Sequence, residues 1–300
     1  MIVDIPHPDK VLFGDSALTK GDLAAYYEAI APAMVPHVRD RPLSLKSFPG
    51  GIRGRGHFTK NIPGHFPDWI GRVTVGKHGG TVTHPLANDA RTLVYLAGQN
   101  MIEPHVWTSR ADRLDRPDRL IVDLDPPDGT SFADVRAVAR EAGDVFRAVG
   151  LEPFAMTTGS RGIHVVAPLR RTADFSAVRE LARALAVAVA AADPRRLTTE
   201  FHKDKREGRI YVDVLRNNYA QTAIPPYGVR AREGAPVATP LRWEELGDRD
   251  LSGGRWTIQS IGARLEHEGG DPWADIARHA RDPGPVRRAV QRMAGDRDEA

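Results

Sequence analysis

Two apolar stretches of this chain carry acids where a buried strand should hold only hydrocarbon. Residues 120–124 read Leu-Ile-Val-Asp-Leu and are followed at once by Asp125. Residues 210–215 read Ile-Tyr-Val-Asp-Val-Leu. Length and apolar content make both of them β-strands. A carboxylate inside such a strand is costly unless an ionic partner compensates it. Side chains alternate along a strand, so Asp123 and Asp125 share one face and Leu124 takes the other. Two readings are open for the pair. It begins a turn with Pro126, or it holds a hard divalent cation such as magnesium or manganese. Asp213, expected in the middle of its strand, asks for the same explanation. Three carboxylates can hold two ions roughly 4 Å apart, one activating an attacking hydroxyl and one stabilising a leaving phosphate. In that scheme the protein positions groups and neutralises charge, and needs no nucleophile of its own.

A phosphate cradle fits between these strands in the sequence. Thr158-Gly159-Ser160-Arg161-Gly162-Ile163-His164 joins an extended segment, 153–158, to a strand at 163–168. Glycines let backbone N–H groups converge on an anion. Ser160 adds a hydroxyl, Arg161 a planar fork suited to phosphate, and His164 a donor on the following strand. A plain hairpin turn is the competing reading of the same residues.

Composition removes several classes of chemistry. With no cysteine among 300 residues, there is no disulfide, thiolate metal site or cysteine nucleophile. No apolar run approaches the roughly 18 residues of a membrane helix. The first residues lack the pattern of a signal peptide, so a cytoplasmic protein without membrane contact is expected. The formal net charge is +3. Basic residues gather at 39–60, at 203–209 and at Arg230 and Arg232, as either a solvated surface or a nucleic-acid footprint. Arginine outnumbers lysine 35 to 7, so a retained lysine marks a place that wants a compact point charge.

Periodicity predicts helices at 20–38, 131–149, 175–192 and 273–279, with Thr19 and Asp22 placed for a capping box. Residues 70–85 read as a hairpin turning at His78-Gly79-Gly80. Strands and helices interleave irregularly, which predicts an α+β fold with mixed sheets. No flexible spacer interrupts the chain, so one domain over 1–300 is expected. Its parts would be an N-terminal part to about 105, a core at about 106–235 and a helical tail from about 236.

The ordered motifs Asp-Leu-Asp-Pro, Ser-Arg-Gly-x-His and an aspartate within a hydrophobic strand resemble archaeo-eukaryotic primase-type polymerases. Of that group, the chain more closely resembles the polymerase domain of bacterial ligase D, the end-joining enzyme. Matching stretches run through nearly its whole length. They include Asp9-Lys10-Val11-Leu12-Phe13, Leu18-Thr19-Lys20-Gly21-Asp22, Arg41-Pro42, Pro67-Asp68-Trp69-Ile70, Glu103-Pro104-His105-Val106-Trp107, Val212-Asp213, Ala223-Ile224-Pro225-Pro226-Tyr227 and Asp271-Pro272-Trp273-Ala274.

That resemblance implies a fold, a primase-type core of β-sheets flanked by helices, and a set of roles. Asp123, Asp125 and Asp213 would be catalytic ligands of two manganese or magnesium ions. Ser160, Arg161 and His164 would hold the incoming triphosphate, with Lys46, His105, Arg206 and Arg230 around the nucleotide. Lys10 and Lys20 would grip the 5′-phosphate of a gapped or recessed DNA end. Phe58 would stack on a template base, and the hairpin from Val73 would help align two ends. The implied activity is templated addition of ribonucleotides or deoxynucleotides to primer 3′ ends during non-homologous end joining, alongside Ku and a DNA ligase. A non-catalytic module bridging 5′-phosphorylated ends, and a primase that starts chains, are the alternatives. The chain departs from the family pattern in three places. His57-Phe58 stands for two adjacent aromatics, Arg161 for a frequent lysine, and Gln221 for a basic residue.

Overall fold

A computed structural model of the chain describes residues 3–77 and 79–298. Its backbone divides into two units, each assembled from three separate segments. The first takes the chain as far as Asp112, then Thr222–Thr239 and Gly254–Ala274. The second takes Arg113–Gln221, Pro240–Gly253 and the chain from Asp275 on. Among the described residues no helix is long and apolar enough to cross a membrane.

The first unit opens with a ribbon of β1 (Val11–Phe13) and β2 (Leu18–Thr19), which leads directly into helix α1 (Lys20–Val38). The helix has the bounds that periodicity predicts, and its capping box forms. Asp22 N donates to Thr19 Oγ1 at 3.1 Å, and Thr19 N donates to Asp22 Oδ2 at 2.8 Å. Amides that an N-terminus would leave unsatisfied are thereby paired. Leu23, Tyr27, Ile30 and Met34 turn inward, while Pro32 and Pro36 lie on the exposed side. Next come β3 (Leu43–Ser47), β4 (His57–Thr59), the hairpin β5 (Gly71–Lys77) and β6 (Gly80–Leu86), helix α2 (Ala90–Gly98) and β7 (Met101–Val106). Strands order as β4-β3-β7, all antiparallel. The expected hairpin is present, in register from Gly71 opposite Leu86 to Lys77 opposite Gly80. His78 of its turn lies outside the described residues. Leu12, Tyr27, Met34, Leu45, Leu93, Ile102, Tyr227 and Val229 belong to one buried cluster.

The second unit is built on a five-stranded sheet ordered β11-β12-β8-β10-β9. Its strands are β8 (Arg119–Asp125), β9 (Phe154–Thr157), β10 (Ile163–Pro168), β11 (Leu197–Thr198) and β12 (Ile210–Asp213). Helices α3 (Phe132–Ala148) and α4 (Phe175–Ala190) pack on it. Only β11 and β12 run parallel, so the sheet is mixed and the fold α+β. Later segments supply α5 (Ile261–Glu268) to the first unit and α6 (Pro283–Asp298) to the second.

Two expectations need correction. Asp213 is the last residue of its strand, because Val214 leaves the extended region with φ −119° and ψ 10° and a 3₁₀ turn, Leu215–Asn217, follows. Residues 273–279 do not form an α-helix. Asp271 accepts the Trp273 N–H at 3.0 Å and holds that stretch in a turn, and only Ile276–His279 coils, as a 3₁₀ helix.

Candidate active site

Strand register gathers the three acids and one histidine. His164 on β10 lies directly opposite Asp123 on β8, and Asp123 lies directly opposite Asp213 on β12. The row His164–Asp123–Asp213 therefore crosses three adjacent strands on one face. Asp125 sits two residues further along β8, opposite Tyr211. The other face of β8 carries Leu120, Val122 and Leu124, all fully buried. Asp123 keeps 15% of its side chain exposed and Asp125 keeps 47%. On the acids' own face Arg119 and Ile121 are buried, and exposure rises toward the end of the strand, so a ligand can reach Asp123 and Asp125 there.

The acids lean on cations. His164 Nε2 is 3.5 Å from Asp123 Oδ2, and Arg216 Nε is 3.8 Å from the same oxygen. Arg206 Nη1 donates to Asp125 Oδ2 at 3.4 Å, while its guanidinium lies over the Tyr211 ring at 3.9 Å. Burial, together with the neighbouring Asp123 and Asp125, pushes the Asp213 carboxyl above its ordinary value against the opposing pull of the Leu215 N–H and Arg216. The set is thus all oxygen, concentrated on one face and short of positive charge. Those are the properties a magnesium- or manganese-sized cation satisfies. Among the described residues no three His, Asp or Glu groups close into a ligand cage on their own, and the aspartates turn to arginines instead.

Local structure holds the row in place. Asp213 Oδ1 accepts the Leu215 N–H at 2.7 Å and so starts the turn that ends β12. That turn delivers Asn217, whose side chain is fully buried. Asn217 Oδ1 accepts from Ile121 N at 2.9 Å, and its Nδ2 donates to Ile121 O at 2.7 Å and to Val214 O at 2.8 Å. It clips the turn to β8 two residues before Asp123. Gly162 permits the neighbouring approach, since a Cβ there would stand 2.6 Å from Leu124 O.

The loop 159–162 is a tight hairpin turn between β9 and β10. Thr158 donates both N–H and Oγ1 to Gly162 O at 3.1 Å. Gly159 takes φ +66°, in the left-handed region that its missing side chain favours. The exposed Arg161 pairs with Asp128, and Ser160 is half-buried. The loop is a turn in conformation, and it leaves Ser160 and Arg161 in the same unit as the acids.

Lys46, His105 and Arg230 belong to the first unit and converge on a residue the sequence reading passed over, Glu103. Lys46 Nζ donates to Glu103 Oε2 at 3.0 Å, and His105 Nε2 stands 3.4 Å from that oxygen. Arg230 Nε forms an ion pair with Oε1 at 3.3 Å, and the Ala231 N–H donates to Oε1 at 2.9 Å. Burial pushes the Glu103 carboxyl up, but His105, Arg230, the Ala231 N–H and Lys46 outweigh it and hold the group well below the carboxylate range. Burial likewise lowers His105, against the pull of Glu103. Phe58, half exposed, meets the His105 ring edge-on with centroids 5.6 Å apart.

Lys10 and Lys20 also come together in the first unit. Lys20 N donates to Lys10 O at 2.9 Å. Lys20 Nζ donates to Pro6 O at 2.7 Å, and Lys10 Nζ donates to Pro49 O. Carbonyls accept these hydrogen bonds without neutralising the charge. Burial and the adjacent Lys10 lower the Lys20 ammonium from its ordinary value.

The thirteen residues singled out from sequence therefore fall into three groups. Asp123, Asp125, Asp213, Ser160, Arg161, His164 and Arg206 lie in the second unit. Lys46, His105, Arg230 and Phe58 form one group in the first, and Lys10 with Lys20 another. Glu103 and Tyr211 stand in the matching and strand stretches without a role of their own, and Arg216 and Asn217 are not singled out there. A signal existed for Glu103, an acid in an apolar strand like Asp213. Nothing local distinguishes Asn217 from any loop asparagine.

Comparison with known proteins identifies the family. Residues 19–273 match the family model described as LigD, primase-polymerase domain. The multifunctional non-homologous end joining protein LigD of Mycolicibacterium smegmatis is 33% identical over 251 residues, covering 83% of this chain and 33% of that protein. The protein of that name from Pseudomonas aeruginosa is 32% identical over 281 residues, 92% of this chain and 33% of its own length. The chain thus spans about a third of these relatives. The polymerase domain of Mycobacterium tuberculosis ligase D, solved in complex with DNA, superposes with a TM-score of 0.87 at 30% identity, covering 93% of this chain and 99% of that one. The chain belongs to the LigD primase-polymerase family.

Proposed function

We propose that this chain, acting as one domain over residues 1–300, is a DNA-directed nucleotidyltransferase. It adds ribonucleotides, or deoxynucleotides, to primer 3′ ends at gaps and double-strand breaks during non-homologous end joining. The row His164–Asp123–Asp213 across β10, β8 and β12, with Asp125 beside it, carries the reading. Acids so placed serve a reaction at phosphate and hydroxyl oxygens better than they serve a fold. Two manganese or magnesium ions held by Asp123, Asp125 and Asp213 would supply a lowered hydroxyl pKa and charge neutralisation at the leaving phosphate.

The chain's own groups do the positioning. Ser160, Arg161 and His164 hold the triphosphate, and Lys46, His105 and Arg230 contribute to nucleotide binding. Arg206, with its guanidinium over the Tyr211 ring and beside Asp125, serves the nucleotide as well. Lys10 and Lys20 receive the 5′-phosphate of the DNA end, and Phe58 stacks on a template base. Ku and a DNA ligase are the partners such a reaction calls for, to hold the ends and to seal the product.

Primer extension on a 5′-phosphorylated gapped template with manganese tests the reading. The wild-type chain extends the primer. Asp123→Ala and Asp125→Ala lose about a thousand-fold in rate, the several kcal/mol that metal-assisted charge stabilisation provides. Extension by either variant at the wild-type rate would refute the metal assignment. Tight binding to 5′-phosphorylated ends with no incorporation under any metal would make the chain an end-bridging module instead.

A further inference from the structure

Glu103 is 3% exposed, so no substrate can touch it, yet it is the most heavily engaged carboxylate of the first unit. Both oxygens are occupied. Oε1 takes the Ala231 N–H and the Arg230 ion pair, and Oε2 takes Lys46 and His105. The partners come from three separate places, β3, β7 and the segment at 230–231. Strand register contributes, because Lys46 lies directly opposite Glu103 and His105 lies two residues further along β7. Phe58, directly opposite Lys46 on β4, ends the same row.

The charge count makes this more than packing. Two permanent cations share one carboxylate, which leaves the cluster with an excess positive charge before any ligand arrives. Lys46 has three N–H donors and gives one to Glu103. Arg230 meets Glu103 through Nε, which leaves its Nη pair, the fork that matches phosphate, uncommitted to that carboxylate. Lys46 keeps 35% of its side chain exposed and Arg230 keeps 22%, against 4% for Glu103. The carboxylate lies behind, and the cations lie in front.

We propose that Glu103 is the positioning residue of the nucleotide site, tethering Lys46, His105 and Arg230 so that their remaining donors are preset for the polyphosphate of a nucleoside triphosphate. This rests on the nucleotide reading of those three residues. Without the tether, two cations repel each other and must be ordered anew for each substrate. A carboxylate that merely offset charge would act in the opposite direction, because removing it would strengthen anion binding.

Titration of GTP into the purified chain, alongside titration of a 5′-phosphorylated gapped duplex, separates the two roles. Glu103→Gln weakens GTP binding about ten-fold, the value of one charge-assisted hydrogen bond, and raises KM in primer extension more than it lowers kcat. Its affinity for the duplex stays at the wild-type value. Glu103→Asp, which keeps the charge on a shorter arm, lies between. In a Lys46→Ala background the cost of Glu103→Gln shrinks, because the residue it positions is gone. Tighter GTP binding by Glu103→Gln, or full additivity with Lys46→Ala, overturns the proposal. So does loss of cooperative unfolding in both Glu103 variants, since Glu103 would then serve the fold. If Lys46→Ala and Arg230→Ala themselves bind GTP like wild type, the nucleotide reading of the cluster fails first.

Discussion

Asp213 shows what a buried acid at a strand end costs the chain that carries it. It is buried, adjacent to two other acids, and pushed above its ordinary pKa by that burial and by Asp123 and Asp125. At neutral pH its ionised form therefore strains the fold. Asp213→Asn keeps an oxygen for the Leu215 N–H and removes the charge. We expect this variant, measured by thermal melting in a chelator, to gain on the order of 1 kcal/mol, or about 2–4 °C in Tm. It should extend no primer. A lower Tm would show that the carboxylate stabilises the turn more than its neighbours repel it. Lys20 makes the complementary case, a buried cation with a carbonyl for a partner. Lys20→Ala should weaken binding to 5′-phosphorylated ends more than to 5′-hydroxyl ends, and an equal loss on both would remove its assigned role. The acids were legible in the sequence because a carboxylate in an apolar strand stands out. Glu103 was equally visible by that rule. Its pairing with Lys46 and Arg230 was not, since both lie far from it in the chain.

Elements with strong local signals fell where the sequence put them. Helix α1 and strand β10 have their predicted bounds, since capping chemistry and apolar periodicity are written in consecutive residues. Those signals give out at element ends that long-range bonds decide. Strand β12 stops at Asp213 because the following turn is clipped to β8 by Asn217, a contact across 96 residues. Asn217→Ala removes that clip and leaves the buried Ile121 N–H and C=O without their partner. We expect it to cost about 2–4 kcal/mol in chemical denaturation, the range for orphaning two buried backbone groups. Primer extension should fall further than the loss of folded protein explains, because the register of Asp213 against Asp123 loosens. Unchanged stability would mean the turn holds without its asparagine.

Across the whole molecule, several stretches that match the family serve the first unit's interior rather than any substrate. Asp271 accepts from Tyr227 Oη at 2.6 Å, lies 2.6 Å from His37 Nε2 and takes the Trp273 N–H. Tyr26 Oη donates to Tyr227 O at 2.7 Å, and the buried Arg41 donates to His37 O and Trp107 O. This network joins the three segments of one unit. Burial pushes the Asp271 carboxyl up, but its hydrogen bonds to His37, Tyr227 and Trp273 N–H win and hold it below 3.8. A depressed acid contributes stability above its unfolded pKa and loses it as pH falls through the folded value. Asp271→Asn should therefore melt below wild type at neutral pH, with the gap closing as pH drops beneath 3.8. A gap that persists in acid would assign the loss to packing.

By itself the sequence determined the α+β class, helices α1, α3 and α4, the hairpin of β5 and β6, strands β8 and β10, and the acids that stand out in apolar strands. Each of these depends on neighbours a few residues apart, and on the alternation that sends Asp123 and Asp125 to one face. The ordered motifs also carried the family. Tertiary structure alone decided that His164, Asp123 and Asp213 form one row, that Arg206 and Arg216 lie on those acids, and that Glu103 collects Lys46, His105 and Arg230. It also decided that each unit is assembled from three distant segments. The physical reason is long-range pairing: strand register shifted by one residue would turn His164, Asp123, Asp213, Lys46, Glu103 and His105 to opposite faces, the arginines arrive from turns distant in the chain, and no local signal states which pairing the chain adopts.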